Sequence, residues 1–101
     1  LGAPGSGVLL AERATALLGP PDILVLGAAI QIEGDWAEAT PDAMDSQWRI
    51  NLREALTLTQ AVLPGMRARG YGRVVGISSV QHVKPHPQMM VYAALKAGLT
   101  N

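Results

Sequence analysis

Two four-residue apolar runs, Ile23-Leu24-Val25-Leu26 and Val74-Val75-Gly76-Ile77, constrain the fold of this chain more than any other feature. Neither alternates apolar with polar residues, and Pro20-Pro21 bounds the first. Runs of this kind predict strands of a parallel sheet buried on both faces. Parallel neighbours need a long crossover, and the segment between the runs offers one. Thr40 suits a helix N-cap and Pro41 the first helical position. Trp48, Leu52, Ala55, Leu56, Thr59, Val62, Leu63 and Met66 then recur at three-and-four spacing, which predicts one long amphipathic helix to about Arg69. Pro64 is expected to kink it or remove one backbone bond, and Gly70-Tyr71-Gly72 to end it. Upstream, Val8 to Leu18 has helical spacing, with Ser6 as a candidate N-cap and Gly19-Pro20-Pro21 as the stop. Helix, strand, helix, strand, helix is an α/β order, and the two strands are expected to be central members of a doubly wound parallel sheet.

Composition narrows the function classes. The 101 residues suffice for one small domain, and 49 % hydrophobic residues exclude a disordered chain. Formal net charge is zero, so no electrostatic case exists for nucleic acid or an anionic membrane surface as partner. No apolar run is long enough to span a bilayer as a helix. The sequence has no cysteine, which removes disulfides and thiolate metal sites and fits a cytoplasmic protein. With no phenylalanine, the core must be aliphatic.

The residues suited to chemistry cluster after the second run. Ser78-Ser79 stands at its carboxyl end, where open α/β sheets place ligands. Tyr92 and Lys96 lie four apart in a helical stretch, so both can face one way. An ammonium beside a phenol favours the phenolate, and the tyrosine pKa of about 10 in free peptides is expected to fall toward neutrality, which suits a proton donor and acceptor. His82 and His86 are also four apart, but Pro85 and Pro87 prevent a regular helix from presenting both, and no metal site is expected. Gln81, His82, His86, Met89 and Met90 are instead candidates for shaping a substrate pocket, and Lys84 for a solvated charge. Trp36, in a polar loop, is expected to pack half-buried or to line the cleft. The Gly-rich opening Leu1 to Gly7 has no preceding strand and suits a loop entering a helix rather than a phosphate loop.

The ordered set Asn51, Ser79, Tyr92 and Lys96, with its Gly72-Arg73-Val74-Val75-Gly76-Ile77-Ser78-Ser79 strand, resembles the short-chain dehydrogenase/reductase family, classical type, from about Glu12 to Asn101. The spacing to Tyr92 selects Ser79 over Ser78. The resemblance implies a Rossmann-type domain of which residues 1–101 are the central part, without the opening glycine loop, as in the middle of a longer protein. It implies NAD or NADP as cofactor, no metal, and hydride transfer between a nicotinamide and a small-molecule carbonyl or alcohol substrate. Tyr92 would be the general acid/base, and Lys96 would lower its pKa and hold the cofactor ribose. Ser79 would bind the substrate oxygen, and Gln81 and His86 would border it. Asn51 would hold, on its backbone carbonyl, a water relaying protons to Lys96. Gly27, Ala28 and Ala29 would lie against the cofactor; Leu26-Gly27-Ala28-Ala29 replaces the family's usual Asn-Asn-Ala-Gly, so the asparagine that ties neighbouring strands is absent. Family members associate through the long helix and the Tyr/Lys helix, which implies a homo-oligomer, a dimer or tetramer. A non-catalytic nucleotide-binding or scaffold relative, an inactive fragment, and an extended relative acting as a nucleotide-sugar epimerase or dehydratase are the alternative readings.

Overall fold

A computed structural model describes all 101 residues. Helix α1 spans Ser6–Leu18, strand β1 Ile23–Leu26, helix α2 Pro41–Trp48, helix α3 Glu54–Ala68, strand β2 Arg73–Gly76 and helix α4 Met90–Thr100. Short 3-10 turns cover Trp36–Glu38, Val80–His82 and Pro87–Met89. The strands pair in parallel, Ile23 opposite Arg73 through Leu26 opposite Gly76, and the Ile77 amide extends the ladder to the Leu26 carbonyl. Parallel pairing puts both carboxyl ends, and the loops that follow them, at one end of the sheet.

The crossover is not one helix. Thr40 caps α2 as its sequence predicts, accepting from the Ala43 amide at 3.3 Å, but the α-helical ladder breaks at Arg49–Arg53, a turn of π-helix. The three-and-four spacing nevertheless continues through it, because Gln47, Asn51, Glu54, Leu58, Val62 and Met66 are the buried residues of the crossover. Leu56 is half exposed, whereas Leu58 joins Val62, Met66 and Ala11 in the apolar core against Leu24 and Leu26. Pro64 lies inside α3 without ending it. Gly70 ends it in the left-handed conformation (φ 70°), donating to the Arg67 carbonyl while the Tyr71 amide reaches Met66. This paired closure favours glycine, which has no Cβ to clash there.

Burial of both sheet faces does not hold. Leu24 and Leu26 meet the helices, while Ile23 and Val25 are 58 % and 57 % exposed and all of β2 is exposed. The core against the strands comes from α1 and α3, and no element of the chain covers the opposite face. Trp36, expected to pack half-buried or to line a cleft, is 66 % exposed and borders a cleft beside the Val80–His82 turn.

Ten residues are buried, and the most fully buried among them are polar or charged: Lys96, Gln47, Glu54 and Asn51. Polar groups enter an interior only when hydrogen-bonded, and these four bond to main chain distant in sequence. Glu54 is the cap of α1. Gly5, not Ser6, occupies the N-cap position; it carries no capping side chain, and Ser6 is the first helical residue. Glu54 Oε2 accepts from the Gly7 amide at 2.8 Å, and Oε1 accepts from Arg53 Nη2 at 2.8 Å. The approach is close: a Cβ on Gly7 would lie 2.7 Å from the Glu54 carbonyl oxygen and 2.9 Å from Thr57 Oγ1.

Two outcomes follow for stability. The Gly7 amide, then the Arg53 guanidinium, hold the Glu54 carboxyl down to about 2, against the ordinary carboxylate range near 4.3. The folded value lies below the unfolded one, so this stabilisation is complete above about pH 4.3 and disappears as pH falls toward 2. Urea unfolding at pH 7 and pH 3 should show a loss at low pH that Glu54→Gln makes smaller. Gly7→Ala should destabilise by about 1–3 kcal/mol, because the obstruction is backbone. Gly2→Ala, where no heavy atom lies within 4 Å, should leave the unfolding midpoint unchanged.

Candidate active site

Asn51 sits in the π turn with no exposed surface. Its Oδ1 accepts from the Ile30 amide at 2.7 Å and its Nδ2 donates to the Ile30 carbonyl at 2.8 Å. One side-chain amide thus satisfies both polar groups of a residue in the loop after β1, as a neighbouring strand would. Four residues earlier, on the same helical face, buried Gln47 Oε1 accepts from the Ile32 amide at 3.3 Å. The 80–90 loop adds a third tie, with the Gly34 amide donating to the Gln88 carbonyl at 3.0 Å.

Helix α4 packs on the π turn and on the 3-10 turn after β2. Lys96 is 2 % exposed, and its Nζ donates to the Ile77 carbonyl at 2.8 Å while lying 5.7 Å from the centre of the Tyr92 ring. Burial lowers the Lys96 pKa from its ordinary value, since loss of water disfavours the ammonium. Lysine is rarely buried without a charged partner, and here the only partners are a carbonyl at a strand end and an aromatic face. Tyr92 is half-buried, and its hydroxyl, which has no partner in the chain, is not sealed from solvent.

Ser79 caps the Val80–His82 turn, its Oγ accepting from the Gln81 amide at 3.2 Å. That bond uses a lone pair and leaves the hydroxyl hydrogen free to donate. Ser78, its neighbour, faces α4 instead: Ser78 Oγ lies 2.8 Å from Thr100 Oγ1 and 3.0 Å from His82 Nδ1. Alternation along an extended backbone separates the two serines, so only one of them can serve a ligand at the sheet end.

Gly27, Ala28 and Ala29 are exposed at the end of β1, beside Ile77: a Cβ on Gly27 would meet only Ile77 Cγ1, at 3.7 Å. The sheet end therefore brings together Gly27–Ala29, the loop clamped by Asn51, the Lys96 amine and the serine pair. Gln81 joins this group through its backbone amide, while its side chain and His86 face elsewhere. They border a cleft of about 480 Å³ with Trp36, Pro87, Met90 and Ala97, whose lining includes neither Ser79 nor Tyr92. One polar atom of each is engaged on the loop, Gln81 Oε1 accepting from the His86 amide at 2.6 Å and His86 Nδ1 from the Gln88 amide at 3.3 Å. Gln47 and Glu54 are the buried polar residues that the sequence left unremarked. The spacing of Gln47 to Asn51 was the available signal; Glu54 had none, because its partner is a backbone amide 47 residues away.

The sequence matches the short chain dehydrogenase family over residues 7–101. It is 39 % identical over 90 residues to ketoacyl reductase HetN of a Nostoc species, covering 89 % of this chain and 31 % of that protein. It is 38 % identical over 86 residues to acetoacetyl-CoA reductase of Rhizobium meliloti, covering 85 % and 36 %. The chain thus spans about a third of the length of these relatives. Its fold superposes with a TM-score of 0.93, at 39 % identity, on a 3-oxoacyl (acyl-carrier-protein) reductase from Agrobacterium tumefaciens solved with NADP bound, covering 98 % of this chain and 38 % of that one. A gluconate 5-dehydrogenase from Burkholderia cenocepacia in complex with NADP and tartrate gives 0.88 at 32 % identity, with 97 % and 38 % covered. A parallel sheet ending in a serine pair, a buried lysine under a tyrosine ring and this match over nearly the whole chain lead to one conclusion: the chain belongs to the short-chain dehydrogenase family.

Proposed function

We propose that these residues are the central part of an NAD- or NADP-dependent oxidoreductase domain acting on a small carbonyl or alcohol substrate, with Tyr92 as general acid/base. The buried amine of Lys96, fixed between the Ile77 carbonyl and the Tyr92 ring, is the observation that carries the reading. A lysine with only a structural part would keep its ammonium in water. Buried here, it stabilises negative charge on the phenol oxygen after the proton leaves.

The residues divide the work. Ser79, with its hydrogen free, donates to the substrate oxygen and fixes the carbonyl carbon. Tyr92 passes the proton to that oxygen during reduction and takes it back during oxidation. The reading also gives Asn51 a water on its backbone carbonyl, from which Lys96 and Tyr92 are reprotonated. The sheet end fits a nicotinamide dinucleotide: Gly27, Ala28 and Ala29 leave the strand end open, and Lys96 has two N–H donors beyond the one used on Ile77 to hold ribose hydroxyls. When bound, the nicotinamide supplies or accepts the hydride. Gln81 and His86 would border the substrate from the cleft side. Relatives named as ketoacyl, acetoacetyl-CoA and xylulose reductases support a carbonyl substrate, and the NADP-bound neighbours support the cofactor class. Helices α3 and α4 would carry the subunit contacts of a homo-oligomer, for which the half-exposed Leu56 is suited, in a cytoplasmic protein.

In the full-length protein, Tyr92→Phe should lower kcat by roughly 10²–10⁴-fold for ketone reduction while leaving cofactor affinity, read by nucleotide fluorescence titration, within about threefold. Undiminished turnover by Tyr92→Phe would remove the tyrosine from the mechanism.

A further inference from the structure

We infer that His82 is a positioning residue, setting the orientation of Ser79 and tying it to the helix that carries Tyr92 and Lys96. The inference rests on the oxidoreductase reading above and adds a residue to it. His82 Nδ1 is in hydrogen-bond contact with the Ser79 carbonyl oxygen, which also accepts from the His82 backbone amide at 3.1 Å. A carbonyl can only accept, so Nδ1 carries a hydrogen. Two donors from one residue thus hold the peptide plane that follows Ser79. The Ser79 side chain, itself bonded to the Gln81 amide, turns with that plane.

The same ring nitrogen starts a chain of bonds with one consistent direction. Ser78 Oγ, 3.0 Å from Nδ1, accepts a share of its hydrogen. Thr100 Oγ1 donates to the Lys96 carbonyl at 2.8 Å, the ordinary bond of a helical threonine to the residue four before it. That leaves Thr100 Oγ1 as an acceptor for the Ser78 hydroxyl at 2.8 Å. The path runs from His82 through Ser78 and Thr100 to the backbone of Lys96. It crosses from the strand-end loop to the last turn of α4, and polarised chains of this kind reinforce their members. Ser78 therefore has a part although it is not the serine offered to substrate. No charged residue enters the path, so it fixes position and transfers no charge. The imidazole itself is half-buried and borders the cleft lined by Trp36 and Met90.

The test uses the full-length protein and two replacements. In His82→Asn the side-chain amide can place an N–H where Nδ1 stood; His82→Ala removes the donor. His82→Ala should lower kcat roughly tenfold to a hundredfold, the usual effect of a reacting group displaced by about an ångström, with cofactor affinity unchanged. His82→Asn should recover activity to within about threefold of the parent. Equal impairment of both variants, or full activity of His82→Ala, would overturn the proposal. Tyr92→Phe assayed alongside separates the failures, since an active Tyr92→Phe enzyme overturns the catalytic reading instead. If His82→Ala does not fold, ¹⁵N NMR of the parent imidazole decides: a protonated Nδ1 supports the assignment, and a bare Nδ1 overturns it.

Discussion

The two hydrogen bonds between the Asn51 amide and the Ile30 main chain are the contact on which the rest of this structure depends. A loop leaving a strand must satisfy its own backbone groups, and inside a protein an unmet one costs about 1–3 kcal/mol. Ile30 has no neighbouring strand to bond with, and Asn51 takes that place with both a donor and an acceptor. It can do so because the π turn at Arg49–Arg53 holds it at a buried position between α2 and α3. The same turn is a packing surface for α4. The loop after β1, the π turn of the crossover and the helix bearing Tyr92 and Lys96 therefore meet at one residue.

This principle extends over the interior. Gln47 bonds to Ile32, Glu54 to Gly7 and Lys96 to Ile77, each a buried polar side chain on the main chain of another segment. The apolar core against them is small: Ala11, Leu58, Val62 and Met66, with Leu24 and Leu26 beside it. Hydrophobic burial is undirected, whereas these bonds have fixed length and angle, and reacting groups need that fixity. Lys96 illustrates the trade. Its burial disfavours its own charge, yet puts that charge under the Tyr92 ring where water cannot weaken it.

Much of this was legible in the sequence, where the signals are local. The runs at Ile23 and Val74, the Thr40-Pro41 helix start, the stop at Gly70 and the Tyr92/Lys96 spacing each depend on a few adjacent residues, and each matches the structure. The misses are non-local. The buried stripe of the crossover runs Gln47, Asn51, Glu54, Leu58, Val62 and Met66, and its first three members are polar, so a count of apolar residues takes Leu56 rather than Leu58 for the core. Ser6 has the chemistry of a cap, but Glu54 reaches Gly7 from another helix and makes a capping side chain on Gly5 unnecessary. An unalternating apolar run tells how much of a strand tolerates burial, not whether this chain provides the covering layer; β2 remains exposed. The partners of the site residues, Ile77 for Lys96 and Ile30 for Asn51, are backbone atoms that no motif records.

Amide hydrogen exchange at Ile30, compared between the parent and Asn51→Ala in the full-length protein, tests most directly whether side-chain clamps on the main chain hold the site together. The Ile30 amide should be protected in the parent and exchange at least about tenfold faster in the variant, the change expected when a buried hydrogen bond of roughly 1.4 kcal/mol is lost. An Ile30 amide that exchanges at the unprotected rate in the parent, or equally slowly in both proteins, would contradict the account.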